Sequence, residues 1–154
     1  MAELHMGMTE PVFRVPYRVI YGDTDSAGLV YNANYLRLVE IGRTELMRNL
    51  AMPYSEMERQ GIVLPVTESY LRYKAPAKYD DLVTIATSLA EVKFVSLRFH
   101  YRITRTEEGG HERLLAKGFT NHACINRQGK LIPFPDNIRE AIQGVWQHKT
   151  EPEK

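Results

Sequence analysis

The order of hydrophobic and polar positions along the chain predicts a strand, one long helix and then a series of strands. Apolar and polar residues alternate over much of Val12 to Tyr21, which is typical of a strand with one buried face. A loop rich in glycine and aspartate follows, and the period then becomes that of a helix from Asn32 to Leu50. Apolar residues cover much of the circumference of this helix, so we expect other structure to wrap around it.

The remainder of the chain has mostly the two-residue period of strands. The cleanest alternation runs from Val95 to Thr104, where one parity is apolar and the other is polar. Further strands are predicted over 62–73, 82–92 and 114–126, and a closing helix over 136–146. Four or five strands without long helices between them predict an α+β fold in which one antiparallel sheet curls around one helix.

The length of 154 residues fits a single domain with its own core. We place this domain at residues 12–146, because no repeat and no long linker divides that stretch. Residues 1–11 and 147–154 are expected to be flexible tails, since the first segment has no strand or helix period and the second is polar.

Charge and cysteine content exclude several classes of protein. Lys and Arg number 20 and Asp and Glu number 19, so the net charge of +1 argues against a general nucleic-acid binder. Cys124 is the single cysteine, which excludes an intrachain disulfide and cysteine-based zinc sites and fits a cytoplasmic location. No apolar run reaches the roughly 18–20 residues of a membrane span.

The candidate chemistry lies in the loop before the long helix. Asp23 and Asp25 resemble the start of a calcium loop, but Ala27 and Asn34 occupy two ligand positions, so we expect no metal and no cofactor. Unpaired N–H groups at a helix N-terminus can polarise a carbonyl, while a nearby carboxylate attacks it or deprotonates water. These tools suit hydrolysis of a thioester. Spacing alone leaves a second interpretation open, because turn aspartates often accept only local hydrogen bonds.

A family resemblance covers nearly the whole chain, residues 12–146. The segment 21–35, Tyr-Gly-Asp-Thr-Asp-Ser-Ala-Gly-Leu-Val-Tyr-Asn-Ala-Asn-Tyr, resembles the signature of the 4-hydroxybenzoyl-CoA thioesterase-like branch of hotdog-fold acyl-CoA thioesterases. Weaker matches follow in order at 61–67, 73–81 and 115–124. The bacterial branch associated with the Tol-Pal envelope system is especially similar. The resemblance implies a hotdog fold, in which a five- to six-stranded antiparallel sheet wraps a long helix.

The resemblance also implies roles for particular residues of the loop. The family's catalytic aspartate falls on Asp25, whereas Asp23 is expected to tie the loop together. The backbone N–H groups that polarise the thioester carbonyl fall near Tyr31 and Asn32. Many relatives carry a histidine where this chain has Asn32, whose amide cannot act as a titrating base but whose backbone N–H is unchanged.

Coenzyme A recognition in this family uses basic residues near the loop between the third and fourth strands. That region here contains Lys93, Ser96 and Arg98, and cations suit the phosphates of CoA. The alternative for Lys93 and Arg98 is an ordinary solvated sheet surface. The family also implies a homodimer, with active sites at its interface, that pairs further into a homotetramer.

Three functions remain open at this level. The first is an acyl-CoA thioesterase that releases a free acid and CoA, with Asp25 as nucleophile or general base. The second is a hotdog hydratase or dehydratase acting on acyl-CoA or acyl carrier protein, which needs a histidine paired with an acid. The nearest histidines, His100 and His122, fall on predicted strands. The third is a binder of acyl-CoA without catalysis.

Overall fold

The computed structural model describes residues 6–146. Five strands and three helices follow one another along this part of the chain. Their order and bounds are β1 (Val12–Arg18), α1 (Asn34–Leu50), α2 (Tyr54–Arg59), β2 (Val66–Tyr73), β3 (Leu82–Val92), β4 (Ser96–Thr106), β5 (Glu112–Ala123) and α3 (Asp136–Trp146). A short 3₁₀ turn, Tyr21–Asp23, lies between β1 and α1.

The strands form one antiparallel sheet in the order β1-β3-β4-β5-β2. β1 and β2 are therefore the two edge strands, and α1 packs across β1 and β3. This arrangement confirms the predicted α+β fold with a long central helix, and it fixes the number of strands at five. Among residues 6–146, none of the helices has the length and apolar character needed to cross a membrane.

The contact between α1 and the sheet depends on a glycine. A Cβ atom on Gly42 would lie 2.8 Å from the Cγ2 atom of Ile85 and would also strike the hydroxyl of Thr87. Both partners are fully buried on β3, so the helix can approach the sheet this closely only where no side chain intervenes. The opposite flank of α1 is open, and Leu36 there is 44% exposed. The single sheet of one protomer thus covers only one side of α1.

Several boundaries differ from the sequence prediction: β1 ends at Arg18 rather than Tyr21, and β4 and β5 are shifted by one to three residues at their ends. Two further differences lie near the candidate site. α1 begins at Asn34 rather than Asn32, because the N–H of Asn34 donates to the carbonyl of Tyr31 and closes a turn before the helix. β2 begins at Val66 rather than Ile62, and α2 precedes it. α2 has only six residues, too few for a helical period to show in the sequence.

Part of the predicted N-terminal tail contacts the sheet. Met6 is buried, and Nδ1 of His100 donates to the carbonyl of Gly7 at 2.8 Å. The N–H of Thr9 donates to the hydroxyl of Ser88 at 3.4 Å. Residues 6–9 therefore lie against the face of the sheet that points away from α1. The remaining tail residues, 1–5 and 147–154, lie outside the described residues.

Candidate active site

Asp23 holds the loop before α1 in place. Its side chain is buried, and Oδ2 accepts hydrogen bonds from the hydroxyl of Tyr17 and the N–H of Ile20, both at 2.9 Å. Oδ1 accepts from Nδ2 of Asn34 at 2.8 Å. Burial, aided by the bond to this carboxylate, raises the pKa of Tyr17 and keeps its phenol a donor. Asp23 thus ties β1, the loop and α1 together, as the sequence led us to expect.

The loop is also fixed by backbone pairing with residues 77–79. Leu29 forms an isolated bridge with Lys78, and the N–H of Val30 donates to the carbonyl of Ala77 at 2.9 Å. Gly28 has a φ of 78°, in the left-handed region that glycine adopts without strain. The chain can therefore reverse direction between Asp25 and the start of α1.

The two carboxylate oxygens of Asp25 differ in their hydrogen bonds. Its Oδ1 atom accepts hydrogen bonds from the N–H groups of Ala27 at 2.9 Å and Leu29 at 3.2 Å. This is the local turn geometry that the structural interpretation of the loop predicts. Within residues 6–146, Oδ2 has no hydrogen-bond partner, and the side chain is exposed. One oxygen thus orients the carboxylate while the other faces solvent.

The start of α1 offers one of the two backbone donors expected from the sequence. The N–H of Tyr31 donates to the carbonyl of Asp23 at 2.9 Å, so it is not available to a substrate. This corrects the expected role of Tyr31, because the bond that closes the loop uses its donor. The N–H of Asn32 has no acceptor in the described part of the chain. The N–H of Ala33 is satisfied by Oδ1 of Asn32 at 2.8 Å.

Asp25 and Asn32 line one cavity. Its volume of about 490 Å³ is within the range of small-molecule sites. The lining residues come from the loop, the start of α1 and the segment after β2: Asp25, Leu29, Val30, Tyr31, Asn32, Tyr35, Tyr73, Lys74, Ala75 and Pro76. The structure therefore brings a carboxylate with a free oxygen and an unpaired backbone donor into the same space. This pair can polarise a carbonyl and deliver an attacking oxygen to it.

Two tyrosines of the cavity wall were missed by sequence reasoning. The rings of Tyr35 and Tyr73 meet edge to face with centroids 5.2 Å apart. The hydroxyl of Tyr73 donates to the carbonyl of Asn32 at 2.9 Å. Burial raises the pKa of both phenols, so each stays neutral and able to donate at neutral pH. Their pairing joins residues 38 positions apart, which no local pattern signals.

Arg105 supports the far wall of the cavity. Its guanidinium forms ion pairs with Asp81 at 2.8 Å and Glu107 at 2.7 Å, and it donates to the carbonyl of Pro76 at 3.1 Å. The hydrogen bond to Glu107 raises the pKa of Arg105; burial opposes this rise, and the bond to Asp81 adds to it. These contacts fix the segment from Pro76 to Asp81, which also pairs with the Asp25 loop.

The three residues expected to bind CoA line a second cavity. Lys93, Ser96 and Arg98 share this space of about 240 Å³ with Thr67, Glu91, Leu97 and Asn121. Lys93 is exposed and pairs with Glu91 at 3.3 Å. The guanidinium of Arg98 lies 3.7 Å from the ring centroid of Phe119 and donates to Nε2 of His100 at 3.0 Å.

Neither His100 nor His122 lines the Asp25 cavity. His122 is buried, bonds to the carbonyl of Leu64 at 3.0 Å and to the hydroxyl of Thr120 at 2.8 Å, and burial lowers its pKa to about 4. Cys124 is buried as well, and burial raises the pKa of its thiol. Both side chains are parts of the core. Residues 6–146 contain no cluster of three or more His, Cys, Asp or Glu side chains that could hold a metal ion.

A long helix packed against one five-stranded antiparallel sheet is the arrangement of the hotdog fold. The chain belongs to the Thioesterase-like superfamily, which matches residues 19–142. The fold and family expected from the sequence are thereby confirmed.

Individual relatives match over most of their length. The acyl-CoA thioesterase YbgC of Haemophilus influenzae is 34% identical over 138 residues, which cover 88% of this chain and 97% of that protein. The crystal structure of TT1821 from Thermus thermophilus superposes with a TM-score of 0.78 at 33% identity, covering 87% of this chain and 97% of that one. A DHNA-CoA thioesterase from Staphylococcus aureus also superposes at 0.78, with 27% identity and coverage of 92% and 97%.

Replacing Asp23 by asparagine should destabilise the fold, because an amide NH₂ would face donors that now bond to a carboxylate. We expect a loss of about 2–3 kcal/mol in the free energy of unfolding, measured by urea denaturation. Asp25→Asn is the matched control, since it changes an exposed aspartate of the same loop, and we expect it to alter stability by less than about 0.5 kcal/mol. Equal stabilities of the two variants would contradict the role assigned to Asp23.

Proposed function

We propose that the protein hydrolyses acyl-CoA thioesters to a free carboxylic acid and CoA in the Asp25 cavity. The observation that carries this proposal is the presence, in one cavity, of the free Oδ2 of Asp25 and the open N–H of Asn32. The acyl-CoA thioesterase activity named for the Haemophilus relative supports it, as does the family of the chain.

In the proposed reaction, the thioester carbonyl accepts a hydrogen bond from the N–H of Asn32. Negative charge that develops on this oxygen during attack is stabilised by that donor and by the positive end of α1. The Oδ2 atom of Asp25 either attacks the carbonyl carbon or removes a proton from the attacking water. The bonds from Ala27 and Leu29 hold Oδ1, so the reacting oxygen is pre-oriented in either case.

CoA is proposed to bind at the second cavity, with Lys93 and Arg98 near its phosphates and Ser96 as a hydrogen-bonding partner. This cavity includes Thr67 at one end of β2, whereas the Asp25 cavity includes Tyr73 at the other. Six residues of strand separate these positions by about 20 Å. A single protomer therefore holds the two cavities apart along its edge strand.

A homodimer would bring the two kinds of cavity together. β2 is an edge strand, so its outward backbone groups can pair with the β2 of a second copy. Antiparallel pairing about a two-fold axis places the Thr67 end of one strand beside the Tyr73 end of the other. The cations of one protomer would then serve the Asp25 cavity of its partner. Two such dimers are proposed to form the homotetramer implied by the family.

Asp25→Asn is expected to lower the rate of acyl-CoA hydrolysis by at least about 100-fold, because the amide keeps the acceptor for Ala27 and Leu29 but loses the reactive charge. The assay follows thiol release with a trapping dye over short, long, branched and aromatic acyl-CoAs. Equal rates for wild type and variant would end the proposed mechanism. Tight binding without turnover would identify a binder instead, and enoyl-CoA hydration without thiol release would identify a hydratase.

Asn32→His is expected to change the pH dependence of hydrolysis. The native amide does not titrate, so residue 32 contributes no inflection to the pH profile of the native protein. A histidine at this position introduces a group with an ordinary pKa of about 6.5, and the profile of kcat against pH should gain a second inflection near that value. A profile unchanged by the substitution would show that residue 32 does not face the reacting atoms.

Val66→Lys is expected to convert the proposed dimer into monomers, because it would place an unpaired charge at each end of the paired β2 edges. Val66 is 45% exposed on β2. Light scattering should give the native protein at least twice the 17.8 kDa of one chain and the variant about one chain. Leu131→Lys is the control, since Leu131 is 56% exposed on a different surface hairpin. A monomeric native protein would refute the shared site.

A further inference from the structure

Tyr73 reaches from the sheet to the turn that carries the open backbone donor. Its hydroxyl donates to the carbonyl of Asn32 at 2.9 Å. The same carbonyl also accepts the N–H of Tyr35, but at the longer distance of 3.3 Å. The phenol therefore makes the shorter of the two bonds that hold this carbonyl at the beginning of α1. Without it, the carbonyl of Asn32 would keep only the longer of its two hydrogen bonds.

The peptide group between Asn32 and Ala33 is fixed by hydrogen bonds. The carbonyl of Asn32 is held by Tyr73 and Tyr35, and the side-chain oxygen of Asn32 accepts the N–H of Ala33 at 2.8 Å. On the preceding side, Tyr31 is bound to the carbonyl of Asp23. The N–H of Asn32 is left as the unpaired group between two anchored peptides. Because both neighbouring peptides are anchored, the orientation of this N–H is set by its neighbours.

Tyr73 is itself well anchored. It is the last residue of β2, where it pairs with Ala116 of β5. Its ring meets the ring of Tyr35 edge to face, and Tyr35 is a buried residue of the first turn of α1. An aromatic ring with two torsions loses little freedom when it is held in this way. The hydroxyl can therefore act as a rigid strut between the sheet and the turn.

We propose that Tyr73 is a positioning residue, which holds Asn32 so that its N–H meets the thioester carbonyl in the reacting geometry. This inference rests on the proposed function. The hydrogen bond to the substrate strengthens as charge develops on the carbonyl oxygen, so a misplaced donor costs most in the transition state. Loss of the strut should lower kcat and leave substrate binding almost unchanged.

The test compares Tyr73→Phe with Tyr70→Phe. The first removes one hydroxyl and keeps the ring against Tyr35. The second removes a hydroxyl from the same strand, where the ring stacks on Phe119 outside the Asp25 cavity. We expect Tyr73→Phe to lower kcat about 5- to 10-fold with KM within about 2-fold of wild type, as for loss of one neutral hydrogen bond. Tyr70→Phe should retain the wild-type values.

Two further measurements separate positioning from general damage. The first is the infrared carbonyl stretch of a bound, non-hydrolysable analogue in which a methylene replaces the thioester sulfur. Tyr73→Phe should shift it toward the frequency of the free analogue, because the donor polarises the carbonyl less. The second is amide hydrogen exchange, which should become faster at residues 33–36 in Tyr73→Phe alone.

The outcomes divide clearly. An active wild type with equal kinetics in the two variants would overturn the role of Tyr73 and leave the proposed hydrolysis intact. A parallel loss of kcat and thermal stability, with an unchanged carbonyl frequency, would also overturn it. A wild type that neither binds the analogue nor hydrolyses any acyl-CoA would refute the proposed function, and the inference with it.

Discussion

A single buried carboxylate organises the candidate site. Burial of a charge is costly unless hydrogen bonds replace its water, and Asp23 receives donors from β1, from the loop and from α1. Its backbone carbonyl accepts the N–H of Tyr31 as well, so the next N–H along the chain, that of Asn32, is the one left open. Asp25 lies only two residues further along the same turn. The hydrogen bonds of Asp23 thus determine where the carboxylate of Asp25 and the N–H of Asn32 lie relative to each other.

The sequence predicts the strands and the long helix from their local periods, and it predicts the candidate site residues from the family motif. The alternation over β3 to β5 and the helical spacing of α1 required no tertiary information, and the motif indicated Asp25 and Asn32. The engagement of Tyr31 could not be predicted, because it depends on which carbonyl the folded loop presents. Tyr73 and Arg105 were missed for a related reason: their partners lie tens of residues away and are chosen by strand register.

Charge is divided between the two cavities in a way that the near-neutral composition conceals. The cations proposed to bind the phosphates of CoA, Lys93 and Arg98, line the second cavity, while Asp25 lines the cavity at the other end of β2. Within residues 6–146, Lys74 is the one cation in the lining of the Asp25 cavity. In the proposed dimer the two functions meet across the interface, so that binding energy from one subunit is used at the reacting centre of the other.

The exposed edge of β2 has a consequence for the life of a newly made chain. Its outward N–H and C=O groups form a row that any extended polypeptide could join, and Val66 and Tyr73 add apolar surface at both ends. Glu68 and Arg72 place charges along the same strand, which makes its association with unrelated strands less favourable. A second copy that covers this strand would act as a built-in guard against aggregation. Dissociation of the dimer on dilution would then expose the β2 edge and lower solubility, in addition to separating the two halves of the proposed site.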